Sequence, residues 1–313
     1  MIQAPDARRG GAMADAADAN VRGGMTIALR PIEPADGEAC ARITYEAFAG
    51  LHDFHQFPRD FPTLEAAEQL VSNFIAHPAI WGVVAEAEDR IVGSNFLDER
   101  GSITGVGPIT VDPKAQGHGF GRRLMDAIIE RGAGARGIRL LQDSFNMQSL
   151  SLYASLGFDV KEQTVVMSGR PRGGPSPGIE VRPLEEGDLE ECERLCLNVH
   201  GFERTNELRD ALHVPVFSPI VALRDGRITA YATTLTFFPA AYAVGETEED
   251  MRALIKGALV AGDEPASFLL PTRQADLFRW CLSEGLRAVK PMTYMTIGEY
   301  RQPNGCWIPS VLY

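Results

Sequence analysis

The chain is written twice. Around Arg30 the residues run LRPIEPADGEACARI, and around Arg182 they run VRPLEEGDLEECERL. Arg-Pro, the Asp six positions after Arg, the Cys ten after it and the Arg twelve after it all coincide at one offset, Arg30 to Arg182. In each copy a short strand meets an Asp that can cap a helix with apolar residues at helical spacing. Further on, VVAEAEDRIVGSNFL (83–97) parallels IVALRDGRITAYATTL (220–235), each reading as a hairpin with a polar turn. Near the ends of the copies, LGFDV (156–160) faces EGLRAV (284–289). Such spaced self-similarity predicts two copies of one α/β unit, and 313 residues are enough for both at roughly 150 residues per domain.

The copies meet at GRPRGGPSPG (169–178), four Gly and three Pro in ten residues, which predicts an unburied linker without a hydrogen-bond ladder. Residues 1–24 are rich in Ala, Gly and Asp with no apolar period, and are expected to be a disordered leader; Arg8 and Arg9 are followed by no apolar export segment. The expected organisation is therefore a leader (1–24), a first unit (25–168), a linker (169–178) and a second unit with a tail (179–313). A formal charge of -12 disfavours nucleic acid as a partner and suits cationic or amine-bearing ones. No stretch approaches the ~18 apolar residues of a membrane span. The five cysteines form no CxxC pair, which points to a reducing cytoplasm rather than a disulfide or zinc framework.

Chemistry concentrates in residues 103–132, ITGVGPITVDPKAQGHGFGRRLMDAIIERG. Ile109 and Val111 alternate as in a strand, QGHGFG (116–121) follows, and Leu124, Met125, Ile128 and Ile129 then mark a helix. Successive amides at a helix N-terminus make an anion site, and Gly117, Gly119 and Gly121 let a phosphate approach bare backbone. Gln116 and His118 stand in the loop, and Arg122 and Arg123 add positive charge beside it. The spacing matches neither a Walker loop nor the dinucleotide GxGxxG. By itself, a ligand-free strand-to-helix turn explains the glycines as well.

A second motif follows: LLQDSFNMQSLSLYASLGFDV (140–160). Together the two resemble the GNAT superfamily, which transfers acyl groups from acyl-coenzyme A. Residues 116–121 match its Q/R-x-x-G-x-G/A loop. Asn146, Ser149, Leu152, Tyr153, Gly157 and Phe158 match its N-x-x-[AS]-x-x-L-Y-x-x-x-G-F signature. The resemblance covers roughly residues 25–168. It implies a mixed, mostly antiparallel sheet flanked by helices, in which two parallel strands splay to admit pantetheine. The resemblance also implies that the loop amides hold the pyrophosphate, that Asn146 bonds the cofactor arm, and that Tyr153 protonates the departing thiolate. The acceptor is then an amine, which attacks only when neutral, and an amine with a pKa of about 10.4 needs a base or a desolvating pocket. Asp143, at the splay, is the candidate base or acceptor contact. His52, His55 and Phe57, in HDFHQFPRDFP (52–62), border the acceptor pocket in this scheme, although an aromatic loop closing the core explains them equally. No ligand spacing around these histidines suggests a metal.

In the second unit the corresponding loop reads VGETEEDMRALIKGAL (244–259), where Thr247 and Asp250 look like a capping box and four acidic residues would repel a pyrophosphate. Aligning Gly285 with Gly157 puts Gln274 at the Asn146 position and Cys281 at the Tyr153 position. The expectation is a GNAT-like unit without cofactor; completing the acceptor pocket, forming a homodimer and stabilising the first unit all remain open as its role. The expected function is acetyl transfer from acetyl-CoA to a primary amine of a small molecule or peptide, without a metal. A non-catalytic acyl-CoA sensor is the alternative.

Overall fold

The computed structural model of the chain describes residues 27–172, 176–237, 241–257 and 265–312. The expected leader and the middle of the linker lie outside them. In chain order the first half forms β1 (Ala28–Pro31), α1 (Gly37–His55), α2 (Leu64–Ala76), β2 (Ile80–Ala87), β3 (Arg90–Asp98), β4 (Ile103–Val106), β5 (Thr110–Val111), α3 (Phe120–Arg131), β6 (Gly137–Asp143), α4 (Met147–Ser155) and β7 (Asp159–Gly169). The second half forms β8 (Glu180–Pro183), α5 (Leu189–His200), α6 (Thr205–His213), β9 (Ile220–Arg224), β10 (Arg227–Thr234), β11 (Tyr242–Gly245), α7 (Glu248–Gly257), β12 (Ala266–Pro271), α8 (Ala275–Ser283), β13 (Arg287–Gly298) and β14 (Cys306–Ile308). This is a mixed α/β chain built from two like halves.

The repeat has a physical basis at its first strand. Arg30 grips Asp36 through two bonds of 2.6 and 2.8 Å, and Arg182 grips Asp188 at 2.7 and 2.8 Å. Each Asp also accepts the amide of the residue three before it, Glu33 at 2.8 Å and Glu185 at 2.9 Å. The guanidinium hydrogen bonds hold both carboxyls below the usual carboxylate range. A strand, an arginine and a capping carboxylate thus lock the entry to α1 and to α5 alike. Cys192 and Cys196 lie fully buried on the apolar face of α5, as their helical spacing with Leu189 requires.

The strands do not stay within their halves. One sheet runs β1-β2-β3-β4-β6-β13-β7-β12, with β5 paired to β3; the other runs β14-β11-β10-β9-β8. β13, from the second half, lies antiparallel between β6 and β7 of the first, Tyr294 opposite Leu141 on one side and Glu162 on the other. β7 in turn pairs with β12, Phe268 opposite Met167. In the large sheet the halves therefore interleave, β13 between two first-half strands and β7 between two second-half strands, whereas the five-stranded sheet is built from the second half alone. The linker is shorter than its composition predicts: Gly169 still pairs with Ala266, and Pro171 is buried. The polar contact between halves continues at α6, where Asp210 accepts from Arg100 at 3.0 Å and Asn206 donates to the Arg100 carbonyl at 2.7 Å.

β4 and β6 are parallel from Ile103–Val106 against Gly137–Leu140. Beyond Val106 they part. The chain turns away through Gly107–Ile109 to rejoin β3 as β5, while β6 continues to Asp143 against β13. The parting opens a wedge at the carboxyl end of β6. Among the described residues, no helix is long and apolar enough to cross a membrane.

Candidate active site

The wedge leads into a cavity of about 980 Å³. Ile109, Val111, Gln116, Gly117, Gly119, Gly121 and Arg122 line one end, and Asn146, Ser149 and Tyr153 the wall beside it. At the loop, Gly117 and Gly119 adopt φ of +83° and +88°, and a Cβ added to either would meet nothing within 4 Å. The backbone there is bare and faces open space. Gly119 is the N-cap of α3, whose first-turn amides have no partner within the helix and carry its positive dipole end. Arg122 extends to the Ser155 hydroxyl at 2.6 Å. His118 is exposed between Gly117 and Gly119, and its side chain turns back on the loop. Its Nδ1 lies 3.2 and 3.1 Å from the carbonyls of Ala115 and Gln116, so it braces the turn from behind.

Asn146 caps α4, its Oδ1 accepting from the Ser149 amide at 3.1 Å, which leaves the amide nitrogen of its side chain for the cavity. Tyr153 is buried, and burial pushes its phenol up to about 12. It therefore stays protonated through neutral pH, the state in which it can give a proton.

At the other end the cavity is aromatic, walled by Phe48, Phe61, Phe74 and Phe237, with Phe54 82% exposed at its rim. His52, His55 and Phe57 are not among the residues that line this wall and instead gather around Phe145, as the core-closing alternative expects. Phe57 stacks on Phe145 at 4.4 Å, His55 packs on the same ring at 5.0 Å, and His52 lies edge-on to it at 5.7 Å. Phe48, Leu51 and Phe54 of α1 reach the cavity, while His52, one turn on from Phe48 and hydrogen-bonded to its carbonyl, is fully buried beside them, and Phe57 lies past the end of α1. Asp143 does line the cavity, and so does Asp60, which the sequence did not single out.

Both carboxylates belong to a buried cluster centred on Lys290 of β13. The Lys290 ammonium lies 2.6 and 2.7 Å from the oxygens of Asp60, 2.7 Å from Asp143 Oδ1 and 3.1 Å from His52 Nε2. His52 Nδ1 is 2.7 Å from the Phe48 carbonyl, which can only accept, so Nδ1 donates there, and Nε2 turns to the cluster, 3.4 Å from Asp143 and 3.6 Å from Asp60. His52, Asp60 and Asp143 have the spacing to hold a metal ion, but the ammonium already stands among them. No local pattern marks Lys290 in the sequence, because its partners lie 147 to 238 residues away.

The corresponding wedge in the second half is filled. β14 pairs with β11, Trp307 opposite Val244, and runs beside β12. Gln274, at the N-cap of α8 where Asn146 caps α4, donates to the Trp307 carbonyl at 2.7 Å and accepts from the Trp307 amide at 3.0 Å. Cys281 is buried in α8. Asp250 and Thr247 form the expected cap at the start of α7, with the Asp250 amide donating to Thr247 at 3.3 Å and the Thr247 hydroxyl to Asp250 at 2.5 Å. Past β14 the chain crosses to the first half, where Val311 and Leu312 line the cavity.

Residues 78–160 match the family model of the acetyltransferase (GNAT) domain. A proposed acetyltransferase of Pyrococcus horikoshii has a similar fold, with TM-score 0.71 and 16% identity over 92% of this chain and 96% of that one. A GCN5-related N-acetyltransferase of Sphaerobacter thermophilus superposes with TM-score 0.60 and 14% identity, covering 88% and 96%. A tandem GNAT protein from the clavulanic acid biosynthesis pathway matches with TM-score 0.53 and 11% identity, covering 87% and 98%. An uncharacterised protein of Mycobacterium leprae is 26% identical over 159 residues, half of this chain and 39% of that longer one. Residues 78–160 are thus similar to a GNAT domain, and the fold of the whole chain is similar to that of these structures.

Proposed function

We propose that the protein is an N-acetyltransferase that moves an acetyl group from acetyl-CoA directly to a primary amine. The single observation that carries the reading is the wedge between β4 and β6, open where its counterpart in the second half is filled by peptide. The filled wedge displays what the open one suits. Gln274 grips an extended backbone amide there, and Asn146, at the same cap position, has a free amide nitrogen for an amide of the pantetheine arm. Bare backbone at Gly117 and Gly119, at a helix N-terminus, fits a pyrophosphate. Ile109, Val111, Gln116, Gly121, Arg122 and Ser149 complete that cradle.

Bound acetyl-CoA would supply an activated acyl carbon on sulfur. The chain's own residues do the rest. Tyr153 holds a proton at its hydroxyl for the sulfur that leaves, and its burial keeps that proton in place. Asp143 meets the acceptor amine at the far end of the wedge. The aromatic wall excludes water and takes the apolar body of the acceptor. We assign the cofactor to residues 25–168 alone and the closing of the acceptor end to residues 179–313. Release of free thiol from acetyl-CoA across a panel of primary amines and peptides tests the reading. Tight acetyl-CoA binding with no transfer to any of them would support a non-catalytic sensor instead.

A further inference from the structure

In the Lys290 cluster two carboxylates face one ammonium, so the carboxylates outnumber it by one; His52 Nε2 lies 3.1 Å from the ammonium and 3.4 and 3.6 Å from Asp143 and Asp60. Asp60 and Asp143 side chains are 7% and 5% exposed, and Lys290 is 2% exposed, so water does little to screen the excess carboxylate. An ammonium has three N–H groups. Here they have three neighbours, Asp60, Asp143 and His52 Nε2, and no ammonium donor remains to neutralise a second charge. The ring of Phe237 backs the same ammonium at 5.4 Å. One position before Asp143, Gln142 also lines the cavity; it is 6% exposed, and neither its amide nitrogen nor its amide oxygen has a partner. A buried amide without a partner costs about 1–3 kcal/mol per group unless a ligand meets it. The charge and the unmet amide lie on the same stretch of β6, at the acceptor end.

We propose that Lys290, supplied by the second half, is the positioning residue of the acceptor site: it holds Asp60 and Asp143 as a pair with a net charge of minus one, and that pair receives the ammonium of the acceptor. The inference rests on the proposed acetyl transfer and names what selects its substrate. The groups that face the pair are His52 from α1, Lys290 from β13 and Tyr153 from α4. Burial raises Asp60 above the usual carboxylate range, the nearby Lys290 opposes that rise, and Asp143 adds to it. As a cationic acceptor docks, one N–H bond of its ammonium breaks, the proton passes to a carboxylate oxygen of the pair, and the electron pair stays on nitrogen for attack. The second half is thus part of the acceptor site although it holds no cofactor.

Charge bookkeeping makes this testable through a series of variants in the full chain. Asp60→Asn brings the cluster to zero, and the acceptor KM should rise about tenfold or more while acetyl-CoA affinity stays within about twofold. Adding Lys290→Met to Asp60→Asn returns the cluster to minus one, and KM should recover to within about threefold of the parent. A residue that only filled space would not produce that recovery. Lys290→Met alone leaves two like charges unneutralised, so the acid limb of kcat/KM should move up by about one pH unit or more, and Lys290→Arg should move it less. If Lys290→Met alone does not fold, the double variant still decides. An unrecovered KM in the folded double variant, or a pH profile of Lys290→Met superimposable on the parent, overturns the role of Lys290. Failure of the parent chain to acetylate any amine would overturn the proposed function itself, which is a separate outcome.

Discussion

Gln274→Ala is the most direct perturbation of the filled wedge. The Gln274 side chain makes two hydrogen bonds to one residue, 2.7 Å to the Trp307 carbonyl and 3.0 Å from the Trp307 amide. Gln274 is 6% exposed and Trp307 2%, so truncation leaves a backbone donor and a backbone acceptor buried without partners. At about 1–3 kcal/mol for each such group, the sum is about 2–6 kcal/mol. Water entering the space vacated by the amide will satisfy part of it, so a net loss of about 2–4 kcal/mol is expected. β14 has only three residues and one pairing partner, β11, so the loss should fall on this strand before it reaches the whole fold. Hydrogen exchange at the Trp307 amide should then quicken about 30-fold or more, because 1.4 kcal/mol corresponds to a factor of ten. Urea unfolding of the same variant gives the global change. Gln274→Glu should not rescue, since a carboxylate cannot donate to the Trp307 carbonyl. Unchanged exchange at Trp307, with a global loss below about 0.5 kcal/mol, would refute the clamp and with it the parallel between Gln274 and Asn146.

Three further outcomes follow from the same geometry. Gly119→Val puts a branched side chain into the open space above the loop at φ +88°; losing one charge-assisted phosphate contact at about 1.5–3 kcal/mol should weaken acetyl-CoA binding about tenfold or more by calorimetry. Unchanged affinity in the folded variant would remove the loop from the cofactor site. Tyr153→Phe keeps the buried ring and loses the proton, so turnover should fall on the order of 10²-fold at unchanged acetyl-CoA affinity. Full turnover would return Tyr153 to a packing role. Native mass spectrometry at saturating acetyl-CoA should count one ligand per chain, because β14 fills the second wedge and Glu246, Glu248, Glu249 and Asp250 stand where phosphates would bind. A second ligand that survives Gly119→Val would show that residues 244–259 do bind the cofactor.

Contiguous residues carry their own geometry, and there the sequence was readable. Glycines at 117 and 119 take positive φ wherever the loop is placed, Asn146 caps the helix it begins, and Asp36 and Asp188 each reach back three residues to the amides they hold. The repeat, the glycine loop, the Asn–Tyr signature and the altered residues of the second half were all legible for that reason. Cys192 and Cys196, at helical spacing from Leu189, are buried for the same local reason. Other features depend on which strand finds which edge, and no local pattern encodes that. β13 reads as an ordinary strand wherever it pairs; only its insertion between β6 and β7 brings Lys290 to Asp60, Asp143 and His52. For His52, His55 and Phe57 the sequence leaves a pocket border and a core-closing loop equally open, because a stretch of aromatic residues does not say what it packs against; tertiary structure sets them around Phe145. Cys306–Ile308 is too short to announce itself as a strand, yet it fills a wedge for which the sequence offers only the acidic loop, Gln274 and Cys281 as reasons to exclude a cofactor. Backbone conformation is decided within a few residues, whereas strand neighbours and buried charge partners are decided by the free energy of the whole sheet.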